Sequence, residues 1–157
     1  MNRTSFFAGL AALTVAGSAT RVFGASSPSY AVTHTDAQWR ALLGPQRFEI
    51  LREGGTEPAN SSPLLAETRT GTYRCAGCDL TLFSSKTKYD SGDGWPSFWD
   101  VLPNAVRKQS DYALIEERTE VHCRQCGGHL GHLFDDGPPP THLRYCIDGL
   151  ALRFVPR

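Results

Sequence analysis

The sequence predicts a mainly β domain with short helices near its N-terminal end. Three observations point there. The 157 residues include 15 glycines and 10 prolines, a balance that favours short strands and turns over long helices. In the last segment, Leu143 to Ile147 and Leu150 to Val155 flank Asp148-Gly149, the strongest short hairpin signal. Four of the five cysteines fall into two C-x-x-C pairs, Cys75/Cys78 and Cys123/Cys126, each beside glycine, as tight knuckles require. The length suits one domain, and 40% hydrophobic with 10% aromatic residues suffice for a core. Sixteen Lys and Arg balance sixteen Asp and Glu. That balance argues against nucleic acid or an anionic membrane as the main partner, since both call for a basic face.

In chain order, residues 1–25 read as a secretory signal peptide. Arg3 supplies a positive start, Phe6 to Ala16 an apolar stretch too short to span a bilayer, and Gly24-Ala25 a small-residue cleavage region. The alternative is a buried N-terminal helix. The Arg3 to Phe7 stretch is similar to a twin-arginine export signal but holds one arginine. An exported, periplasmic protein is expected, with no stable membrane insertion after cleavage, residues 26–34 as a linker and residues 35–157 as the domain. Thr35 and Gln38 form a capping box for a helix carrying Trp39, Leu42 and Leu43. Gly44-Pro45 ends it and starts a second helix with Phe48, Ile50 and Leu51, which stops at Gly54-Gly55. Residues 55–71 read as loop. Strands are expected at Thr72 to Arg74, around Leu80 to Phe83, and from Tyr112 to Val121. Gly137 to Pro140 is a rigid loop, and the Asp148-Gly149 hairpin closes the chain.

Two C-x-x-C pairs can wrap one tetrahedral Zn²⁺ in a closed, structural four-cysteine site; two disulfides or a redox pair are the alternatives. The 44 residues from 79 to 122 between the pairs exceed the roughly 15 to 20 of a simple zinc ribbon. The ion would therefore clip distant parts of one domain and contribute about 10 kcal/mol or more to folding.

Cys146 is left over. Strand alternation puts Leu143, Tyr145 and Ile147 on one face and Arg144 with Cys146 on the other. A guanidinium beside a thiol on an open face is expected to lower its pKa; the plain alternative is a small buried residue. His129 and His132 lie three apart, open to metal ligation, acid–base chemistry beside the thiol or structural hydrogen bonding. His34, His122 and His142 show no pattern and are read as surface or structural. The segment Gly94 to Trp99, with Trp95, Phe98 and Trp99, is either core or a rigid apolar pocket wall.

The combination of CAGC (75–78), SGDGWPSF (91–98), CRQCGGHLGHLFDDGP (123–138) and RYCIDGLALRFVP (144–156), with Trp39, Phe48 and GGTE (54–57), resembles the zinc-containing methionine-R-sulfoxide reductases, the B family. The likeness covers roughly residues 35 to 156. It implies two antiparallel sheets with short N-terminal helices and a zinc site far from the chemistry. It implies that Cys146 attacks the sulfur of methionine-R-sulfoxide in oxidised proteins or peptides and becomes a sulfenic acid. Arg144, His129 and His132 match residues that orient and protonate the substrate oxygen. Trp95 matches the wall against the substrate methyl group, and Phe98 and Asp148 are placed with it in the substrate-binding set. Cys75, Cys78, Cys123 and Cys126 match the zinc ligands.

Two positions depart from the family pattern. Many members carry a resolving cysteine where this chain has Asp93, so a one-cysteine enzyme is expected. An external thiol, thioredoxin-like or small, would then regenerate it. Asp148 stands where asparagine is frequent, and its carboxylate is expected to raise the thiol pKa. Two rival readings explain less: a zinc-ribbon-like binding module ignores Arg144, Cys146 and the histidines, and a Cys-His hydrolase predicts an acyl-enzyme.

Overall fold

A computed structural model describes residues 29–112 and 117–157; the expected signal peptide lies outside the described residues. Helix α1 spans Asp36–Glu53. Thr35 and Gln38 form the expected capping box, and Gly54 ends the helix in the left-handed region at φ 70°. Gly44 (φ 70°, ψ 172°) breaks the helical path just before Pro45, so the element is two helical stretches joined at a kink. Trp39, Leu43, Phe48, Ile50 and Leu51 are buried, whereas Leu42 points to solvent. The loop that follows contains a short 3₁₀ turn, Pro63–Ala66, capped by Ser62.

Among the described residues nine strands follow: β1 Gly71–Cys75, β2 Thr81–Ser84, β3 Lys88–Tyr89, β4 Ser97–Phe98, β5 Val106–Asp111, β6 Arg118–Cys123, β7 His129–Phe134, β8 Arg144–Ile147 and β9 Leu152–Pro156. They form two antiparallel sheets, one of three strands in the order β2-β1-β9 and one of six in the order β3-β4-β8-β7-β6-β5. The sheets meet through aromatic rings. Phe83 of the small sheet stacks on Phe98 of the large one at 4.3 Å between centroids, and Tyr73 meets Phe98 edge-on at 4.9 Å. Phe98 is fully buried. Phe98, placed with the substrate-binding set from the sequence, forms the aromatic bridge between the sheets.

The terminal hairpin does not form. β8 pairs with β4 and β7 in the large sheet, while β9 pairs with β1 in the small one. Between them, Gly149–Ala151 makes a 3₁₀ turn. Asp148 sits at φ −61°, not the positive φ that a two-residue type I′ turn requires. Buried Glu57 redirects the chain instead. Its carboxylate accepts hydrogen bonds from the backbone N–H of Gly149 (2.5 Å) and Leu150 (3.2 Å), and its own N–H donates to Asp148 Oδ1 (2.9 Å). Gly149 is glycine because a Cβ there would collide with Ser62 Oγ. The alternation argument survives, since Tyr145 and Ile147 are buried while Arg144 and Cys146 are partly exposed.

The strand expected from Tyr112 to Val121 is also corrected. Arg118 to Val121 lies in β6, which pairs with β5 just upstream, and Tyr112 lies beyond the end of β5; residues 113–116 lie outside the described residues. Within the expected linker, the described residues dock on the domain. The Val32 N–H donates to the Gln125 carbonyl at 3.0 Å, Tyr30 lies over Gly127, and the Arg107 guanidinium sits 4.9 Å from the Tyr30 ring centroid.

The cause assigned to Gly149 is testable. Gly149→Ala should cost about 1–3 kcal/mol in urea denaturation, and adding Ser62→Gly should recover part of that loss. A double variant no more stable than Gly149→Ala alone would put the role of Gly149 elsewhere.

Candidate active site and metal centre

The four paired cysteines converge. Cys75 ends β1 and Cys123 ends β6, and each is followed by a tight turn that returns its partner, Cys78 or Cys126. Their sulfurs lie within 4.8 Å of one another, with Cys75–Cys126 at 3.7 Å and Cys78–Cys123 at 3.5 Å. Disulfides are excluded in this geometry, since a bonded pair sits at about 2.05 Å and all five cysteines are free. A tetrahedron with Zn–S bonds of about 2.3 Å has sulfur–sulfur edges of about 3.8 Å, close to what is seen. As thiols, the four share protons: hydrogen bonding with Cys123 pushes Cys75 and Cys126 up, and Cys126 pulls Cys123 down. A divalent cation would replace those protons with four thiolate bonds. The donors therefore fit a structural metal, and because β1 and β6 belong to different sheets, the ion would join them.

Cys146 lies apart from this cluster, at the centre of the large sheet. The register aligns Glu120, His132, Cys146 and Ser97 in one row across β6, β7, β8 and β4, and directly opposed residues share a face. Gly131 lets β7 lie close to β8, since a Cβ there would collide with the Cys146 carbonyl. Arg144, two residues before the cysteine, makes a bidentate pair with Asp136 (Nε–Oδ1 2.7 Å, Nη2–Oδ2 2.8 Å), and its Nη1 donates to Asp93 Oδ2. Cys146 Sγ donates to the same Asp93 oxygen at 3.4 Å. The Asp93 Oδ1 is fixed by Ser91 Oγ (2.6 Å) and the Trp95 N–H (3.2 Å).

The expected lowering of the Cys146 pKa is overturned. Burial, then the charge and hydrogen bond of Asp93, push the thiol up to about 12, with Asp148 adding to the rise and Arg144 opposing it. Sequence placed Arg144 correctly but could not show that Asp93 and Asp136 neutralise it.

The two histidines are held by acids on other strands. His129, 4% exposed, has Nδ1 at 2.5 Å from Glu120 Oε1 and Nε2 at 3.7 Å from Asp148 Oδ2, an ion-pair distance. Burial alone would lower its pKa, but the Asp148 and Glu120 carboxylates outweigh burial and raise it. His132 Nε2 sits 2.9 Å from Asp111 Oδ2. Its pKa is lowered, burial being the largest cause and Asp111 opposing it. Of the histidines read as structural, His122 joins this network through Glu120 Oε2 at 3.1 Å.

Trp95 is half-buried and its indole N–H donates to the Glu57 carbonyl at 3.0 Å. Asp148, 3% exposed, accepts from the Glu57 N–H and faces His129. A depression of about 520 Å³ is lined by Tyr89, Asp90, Asp93, Asp136, Pro138 and Arg144, and of these Asp93 accepts the Cys146 S–H. A larger one, about 650 Å³, is lined by Glu57, Gly149 and Leu150 among others and does not include Cys146.

A SelR domain model matches residues 43–156. The chain belongs to the methionine sulfoxide reductase B family. It is 52% identical over 126 residues to the "Peptide methionine sulfoxide reductase MsrB" of Agrobacterium fabrum, covering 80% of this chain and 93% of that one. The namesake from Thiobacillus denitrificans is 52% identical, covering 78% and 94%, and that from Leptospira interrogans is 50% identical, covering 80% and 97%. A crystal structure of the Mis18 "Yippee-like" domain overlaps 55% of this chain and 96% of its own at a TM-score of 0.46 and 16% identity, too distant to carry an argument.

Of the residues that the sequence of this methionine sulfoxide reductase B chain singled out, the structure gathers the four paired cysteines in one cluster and sets His132 opposite Cys146, with Arg144 two residues before it on the same strand. The sequence did not single out Glu57, Asp111, Glu120 and Asp136, which the structure sets in contact with Asp148, His132, His129 and Arg144. Glu57 stood within a segment already matched to the family, GGTE, which was a usable signal. The other three are ordinary acids in sequence and acquire partners only through sheet register.

Two outcomes follow. Alkylation of Cys146 by iodoacetamide should rise about tenfold per pH unit from pH 7 to 10 without a plateau, because a raised pKa leaves thiolate the minor form throughout; a plateau near pH 8 to 9 would contradict the burial and Asp93 effects. Cys123→Ser should lose stoichiometric metal by elemental analysis and unfold cooperatively at far lower urea than the wild type, since structural-site affinity is folding free energy.

Proposed function

We propose that the protein reduces methionine-R-sulfoxide residues in oxidised proteins or peptides through Cys146, with an external thiol closing the cycle. Family membership makes the chain a peptide-methionine sulfoxide reductase, an oxidoreductase. The observation that carries the rest is the isolation of Cys146. It stands in a cross-strand row with His132, two residues from Arg144, while the other four cysteines are gathered elsewhere.

In this reading the Cys146 sulfur attacks the sulfoxide sulfur, the oxygen is protonated, methionine leaves and Cys146 becomes a sulfenic acid. Cysteine sulfur loses two electrons and methionine sulfur gains them. Arg144 and His132 orient the oxygen. His129 is a positioning residue, held between Glu120 and Asp148. Trp95, fixed by the Glu57 carbonyl, offers a rigid wall for the substrate methyl group. Of five cysteines in the chain, four are in the cluster, so an external thiol, thioredoxin-like or small, attacks the sulfenic acid. Water leaves, and a second thiol releases Cys146. Zn²⁺ is the metal best matched to four thiolates and serves the fold. Residues 1–25 direct export to the periplasm, with residues 35–157 as the catalytic domain.

Separated R and S epimers of a peptide methionine sulfoxide, with dithiothreitol, provide the test. The wild type should convert the R epimer alone, and Cys146→Ser should convert neither. Conversion by the serine variant would remove Cys146 as nucleophile. A second cysteine in disulfide with Cys146 after turnover, seen by mass spectrometry, would remove the one-cysteine cycle.

A further inference from the structure

We infer that Asp93 is a catalytic residue: it accepts the Cys146 thiol proton as the sulfur attacks and passes it to the sulfoxide oxygen. The inference rests on the sulfoxide reductase reading of the same site and adds the group that moves the proton.

The geometry singles out Asp93. Its Oδ2 accepts the Cys146 S–H at 3.4 Å. The carboxylate is not free to rotate away, because Oδ1 accepts from Ser91 Oγ and from the Trp95 N–H, and Ser91 Oγ is in turn 2.8 Å from Ser97 Oγ. Arg144 Nη1 pairs with Oδ2 itself. The reacting sulfur, the substrate-orienting guanidinium and one carboxylate oxygen therefore share a single point. The other titratable groups around the sulfur are less suited. His132 Nε2 is engaged with Asp111, His129 Nδ1 with Glu120, and Asp148 accepts from the Glu57 N–H. Tyr89, on β3, has its pKa raised, chiefly by burial, and a neutral phenol is a donor rather than a proton acceptor. Asp136 reaches the site only through Arg144.

Thiolate is scarce in this free enzyme, since the thiol is buried and faces a carboxylate. Attack must then be coupled to proton removal, and Asp93 is the group already receiving that proton. In the step, a bond forms from Cys146 Sγ to the substrate sulfur and the S–H bond breaks. The proton moves to Asp93 Oδ2 and on to the sulfoxide oxygen, turning S=O into S–OH. Asp93 ends the step ionised as it began, and no further oxidant or reductant enters. Asp93 also lines the open depression beside Arg144, so a sulfoxide oxygen entering there comes within reach of the carboxylate that holds the thiol proton.

The experiment compares wild type, Asp93→Asn and Asp93→Ser in the full chain, with two readouts. One is the pH profile of Cys146 alkylation by iodoacetamide. The other is single-turnover methionine formation from R-methionine sulfoxide. Serine can keep the hydrogen bond to the Trp95 N–H that shapes the loop, which separates loss of the carboxylate from loss of the loop. Both variants should alkylate faster than wild type at pH 8, because an anion beside the sulfur is gone. Both should nonetheless form methionine on the order of 10²-fold more slowly, the scale of a lost general base. Methionine formation at or above the wild-type rate, with faster alkylation, would overturn the relay and leave Asp93 a repressor of the thiol. An unchanged alkylation profile would overturn the contact itself. A wild type that forms no methionine fails the underlying reading rather than the relay alone, and that is visible before any variant is compared.

Discussion

The site depends on one buried carboxylate. Glu57 takes the backbone N–H groups of Gly149 and Leu150 on its side chain, gives its own N–H to Asp148 and accepts the Trp95 indole on its carbonyl. Buried ionisable groups are tolerated when hydrogen bonds replace lost water, and here they do so incompletely: burial raises the Glu57 pKa, the two backbone N–H groups oppose the rise, and Asp148 adds to it. What this electrostatic cost gives the fold is direction. The chain leaves the large sheet two residues after Cys146 and enters the small one, so the reactive cysteine sits near the end of a strand that is paired on both sides. Trp95 and Asp148 are set by the same residue, which couples the aromatic wall, the turn and the His129 partner to one point.

The cysteine cluster lies beside the Gly149–Ala151 turn, where the Ala76 N–H donates to the Ala151 carbonyl at 2.8 Å, and like the turn it involves both sheets. Cys75 belongs to β1 and Cys123 to β6, one in each sheet, so a tetrahedral ion held by the four cysteines would close a long loop of chain. The aromatic contacts of Phe83, Phe98 and Tyr73 bury the middle. The α1 helix covers the metal end, with the Arg52 guanidinium donating to the Cys126 carbonyl at 3.0 Å, and residues 29–34 lie over the second knuckle. The cluster touches both sheets, and the lone thiol stands apart from it near the end of β8.

The electrostatics at that thiol run against the simplest reading of its neighbours. A cysteine two residues from an arginine on an alternating strand reads as activated. In the fold, Asp136 and Asp93 take up the guanidinium, and Asp93 turns its remaining influence on the sulfur. The local pair was legible and its net field was not, because the two aspartates arrive from loops 8 and 51 residues away from Arg144.

Local patterns in the sequence alone determined much of this protein. The capping box at Thr35, the break at Gly44-Pro45, the two cysteine knuckles and the side-chain alternation around Cys146 depend on neighbours a few residues apart, and the family motifs followed from their order. Tertiary structure decided what depends on distant partners. Asp148-Gly149 has the composition of a hairpin turn, yet Glu57, about ninety residues upstream in sequence, holds it as a crossing between sheets. Phe98 has the composition of a pocket wall, yet the rings of Phe83 and Tyr73 enclose it. The two histidines have the spacing of ligands, yet β-sheet register hands them to Glu120 and Asp111. In each case the residue's type was visible, and its role was fixed by long-range packing that no local spacing encodes.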